Sequence, residues 1–108
     1  MSNSNYEVLF GRLGADPELK YTRKQEPVCY FSIAENKEGI EKPVWHKIAV
    51  WGKQGEDCKL YLKKGLPVFV RGQKIKKEYE SKEGLKVYQE FKADVVGIVT
   101  PRPESFYE

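Results

Sequence analysis

Histidine, cysteine and long apolar runs are scarce in this 108-residue chain, and each scarcity argues against a class of function. There is one histidine, His46, and there are two cysteines, Cys29 and Cys58. These are too few for a zinc site or a disulfide-stapled scaffold, and they favour a reducing, cytoplasmic compartment. No apolar stretch approaches the ~20 residues of a membrane span. The start, MSNSNYEVLF, shows no secretion signal or arginine-rich transit peptide, so we expect no membrane partner.

Clustered carboxylates and a phosphate-binding glycine loop are also missing. A metal nuclease needs several carboxylates close together and a general base. Asp16, Asp57 and Asp94 instead fall in a turn, a helix start and a strand, and no Walker-type motif is present. His46 has no serine, cysteine or aspartate at a spacing typical of nucleophilic catalysis. The sequence therefore predicts a protein that is not an enzyme and needs no cofactor.

The length, composition and charge predict one domain with a basic surface. A chain of this size forms a single domain, here residues 1–100 with a short tail over 101–108, and 40% hydrophobic residues suffice for a core. The net charge of +3, from 19 basic and 16 acidic residues, is mild, and a solvated surface explains it equally well. Placement is more informative, because many basic residues lie in or beside strand-like segments.

The order of elements predicts an all-β domain with one short helix. Strands are predicted in NYEVLFGRL, PVCYFSIAEN, VWHKIAVWGK, LPVFVRGQKIKKEYE and LKVYQEFKADVVGIV, and GADPELKY turns and resumes an extended course. A helix is predicted in GEDCKLYLKKG, with Glu56 and Asp57 in its first turn, Lys63 and Lys64 in its last, and Gly65 after it. Three strands, a helix and two strands are the order of the five-stranded oligonucleotide/oligosaccharide-binding (OB) barrel, with its helix between strands three and four.

The segment EKPVWHKIAVWGK places two tryptophans on the side of a strand that a core would not use. Side chains alternate between faces of a strand. The inward row is Val44, His46, Ile48 and Val50, and the outward row is Trp45, Lys47, Ala49, Trp51 and Lys53. Rings that alternate with ammonium groups suit a flat, stacked, negatively charged ligand, because bases stack on aromatic rings and lysines neutralise phosphates.

A second outward row is predicted in the fourth strand, through Gln73, Ile75, Lys77 and Tyr79. The candidate stacking residues are therefore Trp45, Trp51 and Tyr79. The candidate phosphate-binding residues are Arg12, Lys20, Arg23, Lys47, Lys53, Lys74, Lys77 and Lys86. Two alternatives remain open: the tryptophans cover a barrel edge or an oligomer contact, and KIKKEYESKEG is a solvated hairpin rather than a basic finger.

Four further residues are predicted to pack or to contact another subunit. His46 shares the inward face with Ile48, which favours a core or subunit-contact role. Tyr30, Phe69 and Tyr88 are predicted to fill the barrel or a subunit contact, because barrels of this size need aromatic filling. The sequence does not distinguish a dimer from a tetramer.

The combination of motifs resembles bacterial-type single-stranded DNA-binding proteins. The segments FGRLGADPELKYT, VWHKI, VWGKQ, YLKKG and VFVRGQ, then a turn at SKEG, occur in that family's order and approximate spacing between Tyr6 and Val99. The resemblance implies sequence-nonspecific binding of single-stranded DNA in replication, recombination and repair. It assigns stacking to Trp45 and to the aromatic positions Trp51 and Tyr79. It also implies phosphate contacts at Lys47 and Lys77, a subunit contact at His46, and a homotetramer, with a dimer as the alternative.

The chain departs from that family pattern in two places. The loop ENKEGIEKP lacks the stacking tryptophan that the family often has after the second strand. The family usually has a long flexible tail whose acidic tip recruits partner proteins, whereas this sequence has only the segment PRPESFYE at that place. Tail-mediated recruitment of replication and repair proteins is therefore not predicted. The second departure motivates an alternative hypothesis, in which the domain is an OB-fold accessory module of the replication machinery, of primosomal type.

Overall fold

The computed structural model of the protein describes residues 6–100 as six strands and one helix. The elements are β1 (Glu7–Leu13), β2 (Glu18–Tyr21), β3 (Pro27–Glu35), β4 (Val44–Trp51), α1 (Gly52–Tyr61), β5 (Pro67–Ser81) and β6 (Gly84–Ile98). Within this range no helix is long and apolar enough to cross a membrane. The predicted tail, 101–108, lies outside the described residues.

Five of the strands close into a ring. The order of all six strands in the sheet is β1-β5-β6-β4-β3-β2. Because β1 also pairs with β3, the strands β1, β5, β6, β4 and β3 form a closed ring. All pairings are antiparallel except the short parallel one between β4 and β6. The extra strand β2, which the sequence showed only as an extended continuation, pairs with β3 alone. The predicted OB-type architecture is confirmed, with α1 between the third and fourth long strands.

The core fills the inside of this ring with alternate residues of each strand. Ile48 and Val50 of β4 point inward, as predicted, and are fully buried. They join a cluster with Leu9, Leu13, Cys29, Phe31, Ile33, Cys58, Leu62, Val68, Val70, Phe91 and Ala93. Each large apolar side chain buried in this way stabilises the fold by about 1.5–3 kcal/mol. The inward rows are therefore fixed, and the opposite rows must face outward.

The helix begins and ends earlier than predicted. It runs Gly52–Tyr61, its first turn holds no acidic residue, and its last turn holds Lys59. Glu56 and Asp57 consequently lie in the middle of the helix, and the predicted last-turn lysines follow it. The cause is Gly52, whose φ of 73° is a conformation that other residues rarely adopt and that lets the chain turn directly from β4 into a helix. The helix boundaries predicted from the charged residues were wrong, because the interaction of charges with the helix dipole is weak and does not decide where the backbone turns into the helix.

Both cysteines are unpaired and buried against the core. Burial raises the pKa of the Cys29 thiol to about 11 and that of Cys58 to about 12. At neutral pH both are therefore protonated thiols, which behave as small apolar side chains.

Candidate nucleic-acid interface

The outward row of β4 carries both tryptophans away from the core. Trp45 is 56% exposed and Trp51 is half-buried, and neither belongs to the core cluster. Lys47 lies between them and is exposed, whereas Ala49 is fully covered. The two indoles and one ammonium group thus project from the same side of the ring.

Trp45 is held in place by a glycine. Its indole lies so close to Gly14, just after β1, that a Cβ added there would stand 2.6 Å from Cζ3 of the ring. The indole edges a concave pocket of about 430 Å³ that is also lined by Tyr30 and Lys47. One side of the ring is supported by the backbone, and more than half of the side chain remains available to a ligand.

Tyr30 on β3 brings another ring to this side of the sheet. It lies opposite Ala49 in the β3–β4 register, and its ring centroid is 5.8 Å from the Lys20 ammonium and 5.4 Å from that of Lys47. Val28, also fully buried, and Ala49 lie outside the core cluster and form a covered layer on this outer side. Cation–π attraction of this kind contributes about 0.5–1 kcal/mol at exposed sites, so each lysine is oriented over a ring.

The hairpin of β5 and β6 extends the same surface. Lys77 pairs with Tyr88 and Tyr79 pairs with Lys86, so these four side chains share one face of the hairpin. The two tyrosine rings meet edge to face at 5.7 Å. Lys47 of β4 reaches within 5.1 Å of the Tyr88 centroid, which joins the hairpin to the ring of strands.

We call this combined surface the aromatic–basic face. Lys92 of β6 belongs to it, because Lys92 is opposite Ala49 and its ammonium lies 5.8 Å from the Trp51 ring. The face comprises Lys20, Tyr30, Trp45, Lys47, Trp51, Lys77, Tyr79, Lys86, Tyr88 and Lys92. Tyr30 and Tyr88, predicted to pack or to contact another subunit, lie on this face, and Lys92 is not among the predicted site residues. Lys86, Tyr88 and Lys92 are an even number of residues apart along β6, and this spacing was the sequence signal that Tyr88 and Lys92 share a face with Lys86.

Lys53 does not belong to the β4 row, which corrects the predicted strand. It lies on α1, where its ammonium donates a 2.7 Å hydrogen bond to Asp57 Oδ1. That hydrogen bond raises the pKa of Lys53. Lys86, which does lie on the face, also has an acidic neighbour, because its ammonium is 3.0 Å from Glu83 Oε1.

Three other predicted phosphate ligands lie apart from the aromatic–basic face or at an exposed turn. Arg12 donates to the Gly65 carbonyl at 3.0 Å and lies on the outer side of β1. Lys74 lies on the opposite side of β5 from Lys77, with its ammonium 3.7 Å from Glu7 Oε1, although it also lines a small pocket at the edge of the face with Trp45 and Lys47. Arg23 is exposed in the turn between β2 and β3. The lysines that the fold brings together with the rings are therefore Lys20, Lys47, Lys77, Lys86 and Lys92.

The outer side of β1, β5 and β6 carries apolar side chains around an ion pair. Arg71 lies opposite both Val8 and Val95 in the strand registers, and its guanidinium donates to Asp94 Oδ2 at 2.7 Å. Phe10 is 58% exposed and its ring centroid lies 6.1 Å from that of Phe69. Phe69 covers Gly97, where a Cβ would collide with its ring. Val8 and Val95 are exposed beside them, and we call Val8, Phe10, Phe69 and Val95 the apolar patch. Phe69 is thus outside the core.

His46 makes a specific polar contact within its own chain. Its Nε2 lies 2.8 Å from Glu35 Oε1, and since an ionised carboxylate can only accept, Nε2 donates. The ring is only 13% exposed. This contact fixes the orientation of the imidazole at the open end of β4.

The strands close as in an OB barrel, and aromatic side chains and lysines lie together on one outer surface. These two features define a domain of the OB binding class. The sequence model described as "Single-strand binding protein family" matches residues 4–99, and the chain belongs to that family. This confirms the resemblance seen in the motifs.

Individual relatives agree with the family assignment. The chain is 34% identical over 105 residues to "Single-stranded DNA-binding protein B" of Bacillus subtilis, covering 92% of this chain and 93% of the relative. It is 38% identical over 88 residues to "Single-stranded DNA-binding protein" of Neisseria meningitidis, covering 75% of this chain and 51% of the relative. A relative of the same name from Halalkalibacterium halodurans is 36% identical over 104 residues, which are 91% of this chain and 62% of that one. The chain spans about half the length of the Neisseria protein.

Proposed function

We propose that this protein binds single-stranded DNA through the aromatic–basic face. The observation that carries the proposal is the contact of lysines with rings across three separate elements, β3, β4 and the β5–β6 hairpin. Bases stack on exposed rings with about 1–3 kcal/mol each, whatever their identity. The lysines beside them neutralise phosphates and release counterions. Binding of this kind tolerates any sequence.

The residues have distinct roles in this proposal. Trp45, Trp51 and Tyr79 are the stacking residues, and Tyr30 and Tyr88 supply further rings between them. The phosphate ligands are Lys20, Lys47, Lys77, Lys86 and Lys92. Arg12, Lys53 and Lys74 have acidic or carbonyl partners away from the face, so the proposal does not depend on them. The protein would act without catalysis, protecting and organising single strands in cytoplasmic DNA replication, recombination and repair.

A titration with oligo(dT) at near-physiological salt tests the function. Tryptophan fluorescence should be quenched on binding, because bases would stack on the indoles. The affinity should fall with salt, and Lys47→Ala should make the log–log slope shallower by about 0.7, the value for one phosphate contact on a single strand.

Lys63→Ala is the matched control, because Lys63 is exposed just after α1 and away from the rings. It should leave the slope unchanged. Failure of the unaltered protein to bind oligo(dT) would contradict the proposed function and favour the accessory-module alternative.

We also propose that a second copy of this chain covers the apolar patch. Phe10 and two valines are exposed here, and Phe69 lies half-buried beside them. Exposed apolar side chains grouped in this way are typical of an interface rather than of a solvated surface. A patch of this kind can pair with itself about a two-fold axis, as most homodimers do. Phe69, predicted as a subunit contact, is central to this patch, and a tetramer would use two such pairs.

Phe10→Glu should break this association, because it places a charge in the centre of a desolvated contact. Light scattering should show the mass falling towards that of the 12.5 kDa monomer. Val87→Glu is the control: Val87 is 59% exposed on the β5–β6 hairpin, away from the patch. An unchanged mass for Phe10→Glu would place the contact elsewhere.

A further inference from the structure

Glu90 is a buried carboxylate in the middle of the aromatic–basic face. It lies on β6 between the face residues Tyr88 and Lys92 and is only 4% exposed. Within residues 6–100 its side chain makes no hydrogen bond or ion pair. In the same range no fully enclosed side-chain oxygen lacks a partner. The oxygens of Glu90 therefore keep an opening to the surface, through which a ligand can reach them.

That opening is a pocket of about 280 Å³, which has room for a single base. It is lined by Glu18, Lys20, Tyr30, Lys47, Tyr88 and Glu90. The ammonium of Lys47 lies within 5.4 Å of the centroids of both tyrosine rings, so it sits between the two aromatic walls. We call this space the Glu90 pocket.

A carboxylate at this position is not explained by phosphate binding, because it repels phosphates and loses hydration when it is buried. An ionised carboxylate only accepts hydrogen bonds. Cytosine, adenine and guanine each present an exocyclic amino group on the edge that pairs with another base. Thymine presents a carbonyl at the corresponding place, which a carboxylate repels. Stacking between aromatic side chains with recognition of the base edge is a common mode for unpaired bases.

The surroundings of Tyr30 agree with this arrangement. Burial chiefly, and the Glu90 carboxylate next, raise the pKa of the Tyr30 hydroxyl. Tyr30 thus stays a neutral phenol at physiological pH. Its ring remains available for stacking while the negative charge of Glu90 lies close by.

We propose that the Glu90 pocket takes an amino-bearing base, cytosine, adenine or guanine, whose exocyclic amino group donates a hydrogen bond to the Glu90 carboxylate. The inference rests on the proposed binding of single-stranded DNA. It adds a preference at one position of a strand that the other rings bind without regard to sequence. The alternative role for Glu90 is to hold Lys47 in place by its charge.

Glu90→Gln separates these roles when dC, dA, dG and dT oligomers of equal length are compared. If the pocket takes an amino-bearing base, the affinity for dC, dA or dG relative to dT should fall at least about fivefold in the variant. A fall with dC alone identifies cytosine, a fall with dA alone identifies adenine, and a fall with dG alone identifies guanine. Glu56→Gln, which removes the same charge on α1, should leave all three ratios unchanged.

Two results would overturn the proposal. Equal strengthening for all four oligomers would show that Glu90 only repels phosphates, and equal weakening would show that it only positions Lys47. Binding of dT by the unaltered protein is measured in the same series, so failure of the proposed function itself is distinguished from failure of the base preference.

A change in the DNA tests the proposal without altering the protein. Replacing cytosine by 2-pyrimidinone removes the amino group and keeps the ring. The unaltered protein should bind this oligomer at least about fivefold more weakly than oligo(dC), since the hydrogen bond to Glu90 is lost. Purine in place of adenine, and hypoxanthine in place of guanine, make the same test for the other two bases. Equal affinities within all three pairs would rule out the contact even if Glu90→Gln failed to fold.

Discussion

Trp45→Ala is expected to weaken binding to oligo(dT) by about 1–3 kcal/mol, which is about 5- to 150-fold in affinity. The indole of Trp45 is more exposed than that of Trp51, and it is held in position against Gly14. A base that stacks on it therefore displaces water without first ordering the side chain, so the loss should be near the upper part of this range. Fluorescence anisotropy of a labelled oligomer measures the effect.

Two further variants make this test specific. Gly14→Val keeps the indole but pushes it from its support, and it should also weaken binding, because the ring no longer projects correctly. Tyr61→Ala removes a ring on α1 that is even more exposed, at 68%, and should have no effect. If Trp45→Ala bound as tightly as the unaltered protein, stacking on β4 would not be the mode of binding.

The β4 surface could be predicted because its information is local. Alternation along one strand separates Trp45 and Lys47 from Ile48 without knowledge of the partners of the strand. The same rule also shows that Lys74 and Lys77 cannot share a face, since they are three residues apart in one strand. The prediction of Lys74 as a phosphate ligand therefore cannot be based on the outward row that contains Lys77.

The remaining residues of the face depend on pairings between distant strands. Tyr30 reaches Lys47 because β3 and β4 pair in one register, and Tyr88 reaches it because β6 lies alongside β4. A shift of one residue in either register would turn a ring to the opposite side. Sequence patterns do not fix such registers, so they could not show that Tyr30, predicted to pack or to contact another subunit, lies beside Lys47.

Lys53 shows a different limit of sequence reasoning. Its place in the row required β4 to continue past Gly52, and the pattern of alternation gave no sign of a break. The chain instead enters α1 at Gly52 with a positive φ. A glycine at a strand end permits both a stop and a sharp change of direction, and only the packing of α1 against β3 and β4 selects the second.

Gly72→Ala should lower the free energy of unfolding by about 3 kcal/mol, the upper end of the usual cost of overpacking. Gly72 lies at the bulge between β5 and β6, where a Cβ would collide with the Lys92 carbonyl oxygen and stand 2.7 Å from Ala93 Cα. These are backbone atoms, so relief requires the two strands to separate. Urea unfolding at a fixed protein concentration measures the change, because association also contributes to stability.

Gly39→Ala distinguishes this collision from the ordinary preference for glycine. Gly39 has a φ of 81° and open space around its Cβ position, so alanine there should cost only about 1–2 kcal/mol of backbone strain. The bulge also sets the twist of the β5–β6 hairpin, and with it the approach of Tyr88 to Lys47. Gly72→Ala protein that still folds should therefore bind oligo(dT) more weakly, whereas Gly39→Ala should not. Equal stability and equal binding of Gly72→Ala and the unaltered protein would show that neither the core nor the aromatic–basic face depends on this close strand contact.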